Sequence, residues 1–472
     1  MYIEQLYTGC LAEAAYYIES NGEAAIIDPL RETAPYVELA KKRGAKIKYV
    51  FLTHFHADFV SGHVDLAKKT GATIVFGPNA NPSFDFHSGK DNELFSIGKI
   101  TLKLLHTPGH TMESTTYLLI DEEGKEQAIF TGDTLFIGDV GRPDLAVKSD
   151  VTEADLAAYL FDSLRNKIMV LPDIITIYPA HGAGSACGKN MSKETFDTLG
   201  HQKEVNYALR ADMTKEEFIK EVTTGLMPPP QYFPKNVAMN KGVNKTFDEI
   251  LKQGLTPLSA QDVNTLIQDR NILCLDVRST TDFVKEHLPN SLFIGLDGSF
   301  APWVGTLIEN INQPIIIVAP EGREEEAVMR LARVGYDNSL GYLKGGIKAW
   351  KEAGFSLSSV TSVTPTYFAN NLTPEDNVLD VRKKTEFFSE HIEHPHVQNT
   401  QLDTLFADFK EINKDKTYYV HCAGGYRSLI AISILKQKGY EKLINVEGGF
   451  NELKISTKIQ CSDYVCPSTM TF

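Results

Sequence analysis

Two stretches of this chain repeat one another, and the repetition limits the fold more than any other feature. NILCLDVRSTTDFVKEHL (271–288) matches DNVLDVRKKTEFFSEHI (376–392), and YLKGGIKAW (342–350) matches NVEGGFNEL (445–453). Asp276 and Asp380 stand 104 residues apart, a domain-sized period, so the second half of the chain is expected to hold two copies of one domain. Each copy opens with an apolar strand ending in Asp-Val-Arg, carries a central strand (PIIIVAP or TYYVHC) followed by helical text, and closes near a Gly-Gly turn. Strands alternating with helices in this way predict a small parallel α/β domain.

The 472 residues exceed what one hydrophobic core can serve, and the length argues for about three domains. Through about Leu199, short apolar runs (KIKYVFLT, ATIVFG, KITLKLLHT, YLLI, AIFTGD and IITIYPA) read as buried strands among amphipathic stretches, which makes the first domain α/β as well. From Gly200 to about Gly254 the text turns helical and charged, as in TKEEFIKEV, and is broken by MPPPQYFP, whose prolines do not suit a helix interior. The expected organisation is a first domain with its wrapping segment over 1–254, the two repeats over 255–356 and 360–456, and a polar tail over 457–472.

With 42% hydrophobic and 23% charged residues the chain has the composition of a folded protein. A net charge of −14 leaves no broad basic surface, so no nucleic-acid partner is expected. The opening MYIEQLYTGCLAEAAYY lacks a charged segment followed by a long apolar one, and no eighteen apolar residues run together. No membrane association and a cytoplasmic location are therefore expected. Six cysteines, at 10, 187, 274, 422, 461 and 466, are too sparse for a disulfide framework, so reduced thiols are expected. Cys461 and Cys466 are either spectators or a regulatory pair.

Four apolar runs of the first domain end in side chains able to hold a metal: YVFLT-His54-Phe-His56-Ala-Asp58, LKLLHTPG-His110, IFTG-Asp133 and TIYPA-His181. One such histidine alone is more often a satisfied buried group, but four at strand ends can converge on one sheet edge. THFHADF, TPGHT and TGD together resemble the metallo-β-lactamase superfamily over most of residues 1–200, which implies an αββα sandwich. The family's first motif usually reads His-x-His-x-Asp-His, whereas here Phe59 fills the last position. A second metal would have only Asp58, His181 and a shared Asp133, which favours a mononuclear centre.

Within the superfamily the sequence looks most like the persulfide dioxygenases. That resemblance implies one Fe(II) per chain, held by His54, His110 and Asp133, with His56, Asp58 and His181 close to the metal but not ligating it. Two imidazoles and one carboxylate leave three positions open, enough for a sulfur ligand and O2 side by side. Arg142, in GDVGRPDL, either binds an anionic part of the substrate or forms a loop salt bridge. Cys187, among the glycines of AHGAGSACGKN, is either a persulfide carrier or an inert thiol.

Both repeats resemble rhodanese domains over about 100 residues each. In the second, TYYVHC leads into Cys422-Ala-Gly-Gly-Tyr-Arg427-Ser428, with the cysteine first and the arginine sixth, as in a rhodanese active-site loop. Such a strand-to-helix turn aims backbone N–H groups at a nucleophilic sulfur. Gly424 and Gly425 allow the curl, Arg427 suits an anion such as thiosulfate or sulfite, and Ser428 is expected to cap the helix. In the first repeat Pro320 or Glu321 stands where the cysteine would be, so that copy is expected to be catalytically silent. The resemblances together imply oxidation of a small-molecule persulfide by O2 to sulfite, linked to sulfur transfer that forms or uses thiosulfate. A homodimer suits the long connecting segment and the silent copy. The alternatives are a thioester hydrolase of the glyoxalase II kind, which needs two metals, and a sulfur-sensing scaffold.

Overall fold

The computed structural model describes residues 1–147, 150–189, 191–226, 228–269 and 271–466. It divides into two units, Met1–Glu249 with Leu331–Gly335, and Ile250–Arg330 with the remainder from Tyr336. Among the described residues no helix is long and apolar enough to cross a membrane.

The first unit is built on two six-stranded sheets. One runs in the order Tyr2–Thr8, Glu13–Ser20, Glu23–Ile27, Lys46–Phe51, Thr73–Phe76, His87–Ser88. The other runs Asp197–Thr198, Thr176–Pro179, Glu126–Gly132, Thr115–Ile120, Ile100–His106, Leu94–Ile97. Alternation along a strand assigns each side chain to a layer. Ala14, Tyr16 and Ile18 join Phe51, Phe95, Tyr117 and Phe130 in the core between the sheets, while Ala15 and Tyr17 join the core on the outer face, against the helices Ala34–Arg43 and His63–Thr70. The helix Glu153–Ser163 and its neighbours cover the other sheet in the same way. The result is the expected αββα sandwich. Burial on both faces explains why these strands read as continuous apolar runs.

All six apolar runs form strands. The N-terminal strands were harder to read because Glu, Tyr and Ser interrupt their apolar residues. TKEEFIKEV becomes the helix Lys215–Thr223, started by a capping box between Thr214 and Glu217, and it buries Phe218 and Val222 against the second sheet's outer core. After the prolines, Phe233–Lys241 is helical with Pro234 in its first turn, where a missing N–H costs nothing.

In the second unit each repeat forms a five-stranded sheet paired in parallel throughout. The orders correspond strand for strand: Pro257–Leu258, Ser339–Leu343, Ile315–Val318, Leu273–Asp276, Leu292–Phe293, and Thr361–Val363, Leu443–Val446, Tyr418–His421, Asn377–Asp380, Val397–Asn399. The repeated Asp-Val-Arg is a strut in both copies. Arg278 pairs with Asp276 and donates to Glu286 O, and Arg382 pairs with Asp380 and donates to Glu390 O. The tail adds a bridge between Cys461 and Ile392, and Val465 N–H donates to Ser389 O. Its last six residues lie outside those described.

Phe51 is fully buried between the sheets with Phe95 and Tyr117 packed on its ring. Phe51→Ala is expected to cost the first unit about 3–5 kcal/mol, seen as a lower denaturant midpoint for that unit's transition.

Candidate metal centre and sulfur-carrier loop

The strand Lys46–Phe51 delivers His54 and His56, the loop after Ile100–His106 delivers His110, Glu126–Gly132 delivers Asp133, and Thr176–Pro179 delivers His181. All of them are buried. His54, His110 and Asp133 bring one ligand atom each within 4.8 Å of one another. Asp133 Oδ2 lies 3.4 Å from His110 Nε2 and 3.9 Å from His54 Nε2.

Hydrogen bonding fixes which ring nitrogen faces the centre. His110 Nδ1 is 2.8 Å from Arg142 O, and a carbonyl only accepts, so Nδ1 carries the proton and Nε2 presents its lone pair. Thr53 donates its hydroxyl to Asp28 Oδ2 and so accepts from His54 Nδ1 at 3.0 Å, which leaves His54 Nε2 bare. His181 Nδ1 donates to Ala12 O at 3.2 Å with the same consequence. Burial, and then the neighbouring His56, His110 and His181, hold the His54 imidazole well below its ordinary pKa, which keeps it neutral as a ligand must be.

Both carboxylate oxygens of Asp133 are buried without a hydrogen-bond donor. Three bare imidazole nitrogens beside a buried carboxylate without a hydrogen-bond partner among the described residues fit a cation. The donor set of His54, His110 and Asp133 therefore fits a divalent metal with nitrogen and oxygen ligands.

His56, Asp58 and His181 form a second grouping within 4.8 Å, and Asp133, His181 and Cys187 a third. His56 Nε2 sits 3.0 Å from Asp28 Oδ1, and His181 Nε2 sits 3.5 Å from Asp58 Oδ2. Burial, the largest single influence, would lower the His56 pKa, but the Asp28, Asp58 and Asp133 carboxylates together outweigh it and raise it. Phe59 packs on the His56 ring at 4.4 Å. Backbone crowding is also decisive. A Cβ on Gly132, whose φ is +53°, would meet Thr53 Oγ1 at 2.5 Å, and one on Gly141 would meet Asp133 O at 2.0 Å.

Arg142 closes its guanidinium on Asp144 with two 2.6 Å bonds and also reaches Ala186 O. Its backbone N–H donates to Cys187 O, tying the two loops together. The Cys187 thiol is raised well above its ordinary pKa by burial and by Asp58 and Asp133, so it rests as a neutral thiol.

Three residues at this site escaped the sequence reading. Asp28, at the end of a strand and before Pro29, holds Thr53 through both oxygens, and its place after an apolar run was an available signal. Asn240, on the wrapping helix, donates to His56 O and Phe59 O and accepts from Ser61 N–H, so it clamps the metal-binding loop. Glu13 is wholly buried, with burial first and then Asp28 and Asp58 raising its pKa. Neither of these last two had a local sequence signal.

In the second unit Cys422 follows the strand Tyr418–His421, and Gly425 N–H donates to its Sγ at 3.1 Å. Gly425 takes φ +87°, which a side chain would resist, and it opens the helix Tyr426–Gln437. Arg427 is bound through both terminal nitrogens to Glu386, at 2.6 and 2.8 Å. Ser428 does not cap the helix as expected. It lies inside the first turn, where its hydroxyl meets Gly425 O and Asn445 Oδ1 and stands 3.8 Å from Cys422 Sγ. Gly424 has open space where a side chain would be.

Residues 8–181 match the metallo-β-lactamase superfamily, and 259–353 and 364–456 match the rhodanese-like domain. The mitochondrial persulfide dioxygenases of Mus musculus and Homo sapiens are each 31% identical over 220 residues, 46% of this chain and 78% of theirs. The chain belongs to the metallo-β-lactamase superfamily. Another superfamily relative, the probable hydroxyacylglutathione hydrolase of Schizosaccharomyces pombe, is 30% identical over 198 residues, 41% of this chain and 72% of its own. The crystal structure of a metallo-β-lactamase from Staphylococcus aureus subsp. aureus COL is 32% identical with a TM-score of 0.63, covering 73% of this chain and 98% of that one. This superfamily member is thus an enzyme of the branch that includes metallo-hydrolases and persulfide dioxygenases, with two rhodanese-like domains appended.

Replacing Asp133 by Asn keeps the shape but removes the charge that the imidazoles surround. Metal content after anaerobic purification, measured by mass spectrometry of the elements, is expected to fall by at least about tenfold.

Proposed function

We propose that the first unit oxidises the persulfide of a low-molecular-weight thiol with O2, and that Cys422 carries sulfane sulfur between thiosulfate and sulfite. The first reaction balances as RSSH + O2 + H2O giving RSH and sulfurous acid, which ionises to sulfite. The second attaches the outer sulfur of thiosulfate to the Cys422 thiolate as a persulfide and releases sulfite, and it runs in either direction. The observation that carries the reading is the unpaired Asp133 carboxylate between two imidazoles whose Nε2 lone pairs both face it.

Fe(II), one per chain, is the metal this donor set would hold through His54, His110 and Asp133. When bound it supplies open positions where sulfur and O2 meet, together with the electrons that activate O2. The chain does the rest. Asp28 and Thr53 hold the His54 proton on Nδ1, and Arg142 O does the same for His110. His56 and Asp58 offer proton-binding atoms beside the reacting sulfur, and buried Phe59 helps to exclude water. Cys187, a neutral thiol within reach of Asp133 and His181, is placed to exchange sulfur with the substrate: RSSH and the thiol give RSH and a Cys187 persulfide. Arg427, Gly424, Gly425 and Ser428 line the Cys422 loop, where sulfite or thiosulfate would sit once Arg427 is shared between Glu386 and the anion. The reading places the chain in a reducing cytoplasm, as a homodimer with its thiols reduced.

Hydrolysis of a thioester is a second reading, favoured by the His56, Asp58 and His181 grouping and by the hydrolase relatives. The two diverge in metal count and in O2. Iron-loaded protein given glutathione persulfide is expected to consume O2 and release sulfite in equal amounts. Two zinc ions per chain, with acyl-thiol cleavage and no O2 uptake, would establish the hydrolase instead. Cys422→Ser is expected to abolish sulfur transfer from thiosulfate while O2 uptake continues at the parental rate.

A further inference from the structure

The silent rhodanese copy lies in the same unit as the working one, and the contact between them falls on the sulfur-carrier loop. Tyr426 is the residue next to Gly425, whose N–H faces Cys422 Sγ, and it precedes Arg427. Its side chain leaves its own domain. The hydroxyl donates to Gly295 O at 2.8 Å, and the ring meets Phe293 edge-on at 5.9 Å. Burial raises the phenol above its ordinary pKa, so it remains a donor.

The ring also explains Gly298. A Cβ there would lie 2.4 Å from Tyr426 Cζ, with two further ring atoms at 2.6 and 2.8 Å. Gly298 is not among the glycines with positive φ, so the ring, not the backbone, demands its missing side chain. The segment 295–298 is itself framed by the loop without a cysteine and the helix after it. Arg323 bonds Asp297 Oδ1 at 2.7 Å and Glu326 at 2.7 Å, and Arg330 donates to Leu296 O at 2.7 Å. Within PEGREEE, Arg323 and Glu326 are thus ion-paired, and Glu326 also holds Arg330.

The working copy holds the loop on both sides of its glycines, through Arg427 on Glu386 and Ser428 on Asn445 beyond them and through two backbone bonds before them. Phe450 N–H donates to Cys422 O at 2.7 Å and Asn451 N–H to Ala423 O at 3.0 Å. Beyond the two glycines the other copy adds its own hold on the helix: Tyr426 on Gly295, and Ser433 Oγ accepting from Phe293 N–H. A glycine pair joins the two sides, so the direction of the Gly425 N–H depends on where Tyr426 is held.

We infer that the cysteine-less rhodanese copy positions the sulfur-carrier loop of the working copy through Tyr426, with Gly295 and Gly298 as the socket. The inference rests on the reading of Cys422 as the sulfur carrier, and Tyr426 is a positioning residue that touches no substrate.

The test uses the full chain with Gly298→Ala, Tyr426→Phe and Tyr426→Ala. Two quantities are measured: thiosulfate-to-cyanide sulfur transfer, and the rate of Cys422 alkylation by iodoacetamide across pH, read on the Cys422 peptide by mass spectrometry. Gly298→Ala is expected to lower kcat/KM on the order of tenfold and to displace the alkylation profile, because a small misplacement of a reacting group is costly. Tyr426→Phe should move both in the same direction by less. Adding Gly298→Ala to Tyr426→Ala should change neither further, since the ring it displaces is gone.

A parental profile in Gly298→Ala, or the same loss on the Tyr426→Ala background, overturns the inference. Should Gly298→Ala fail to fold, a parental profile in Tyr426→Phe overturns it alone. A wild-type chain that transfers no sulfur, yet whose Cys422 profile shifts with Gly298→Ala, supports the positioning and overturns the carrier reading.

Discussion

An unpaired carboxylate at the meeting point of two sheets governs the first unit. Asp133 is buried without a donor for either oxygen, an arrangement that costs several kcal/mol unless a cation answers it. Everything around it serves that answer. Carbonyls of Ala12 and Arg142 and the Thr53 hydroxyl each take the Nδ1 proton of a histidine, so every bare nitrogen points the same way. The αββα layers supply the rigidity, since the ligands come from the ends of strands packed on both faces.

The second unit solves a related problem by different means. There the Cys422 sulfur is held by a backbone N–H on a glycine turn beside a helix N-terminus. Such a loop is permissive by nature, because glycines define it. Its stiffness has to come from what it leans on, and here that includes the neighbouring repeat. In the copy without the cysteine, Arg323 of the corresponding loop is ion-paired with Asp297 and Glu326.

The fold was legible wherever local chemistry and tertiary demand agreed. The repeated Asp-Val-Arg text, the Gly-Gly turns and the doubly buried strands each carry their reason within a few residues, and each formed as read. TKEEFIKEV formed its helix for the same reason, with Thr214 and Glu217 closing a capping box at its start. Ser428 was misread because a serine near a helix start resembles a cap, whereas the αL glycine at 425 opens this helix and leaves Ser428 to bond within the first turn.

By itself the sequence determined the kinds of atom available: three histidines and an aspartate at strand ends, a phenylalanine where the first motif's fourth donor would stand, one loop with a cysteine and one without. Those are properties of composition at fixed spacing, and spacing along a strand sets which side chains share an edge. Only the tertiary structure decided which ring nitrogen is bare, that Arg142 spends its fork on Asp144, that Asn240 from the far wrapping helix clamps the metal loop, and that Tyr426 reaches into the other repeat. Each of those depends on groups that are distant in sequence or free to turn about single bonds, and packing is what selects one partner from the several that chemistry permits.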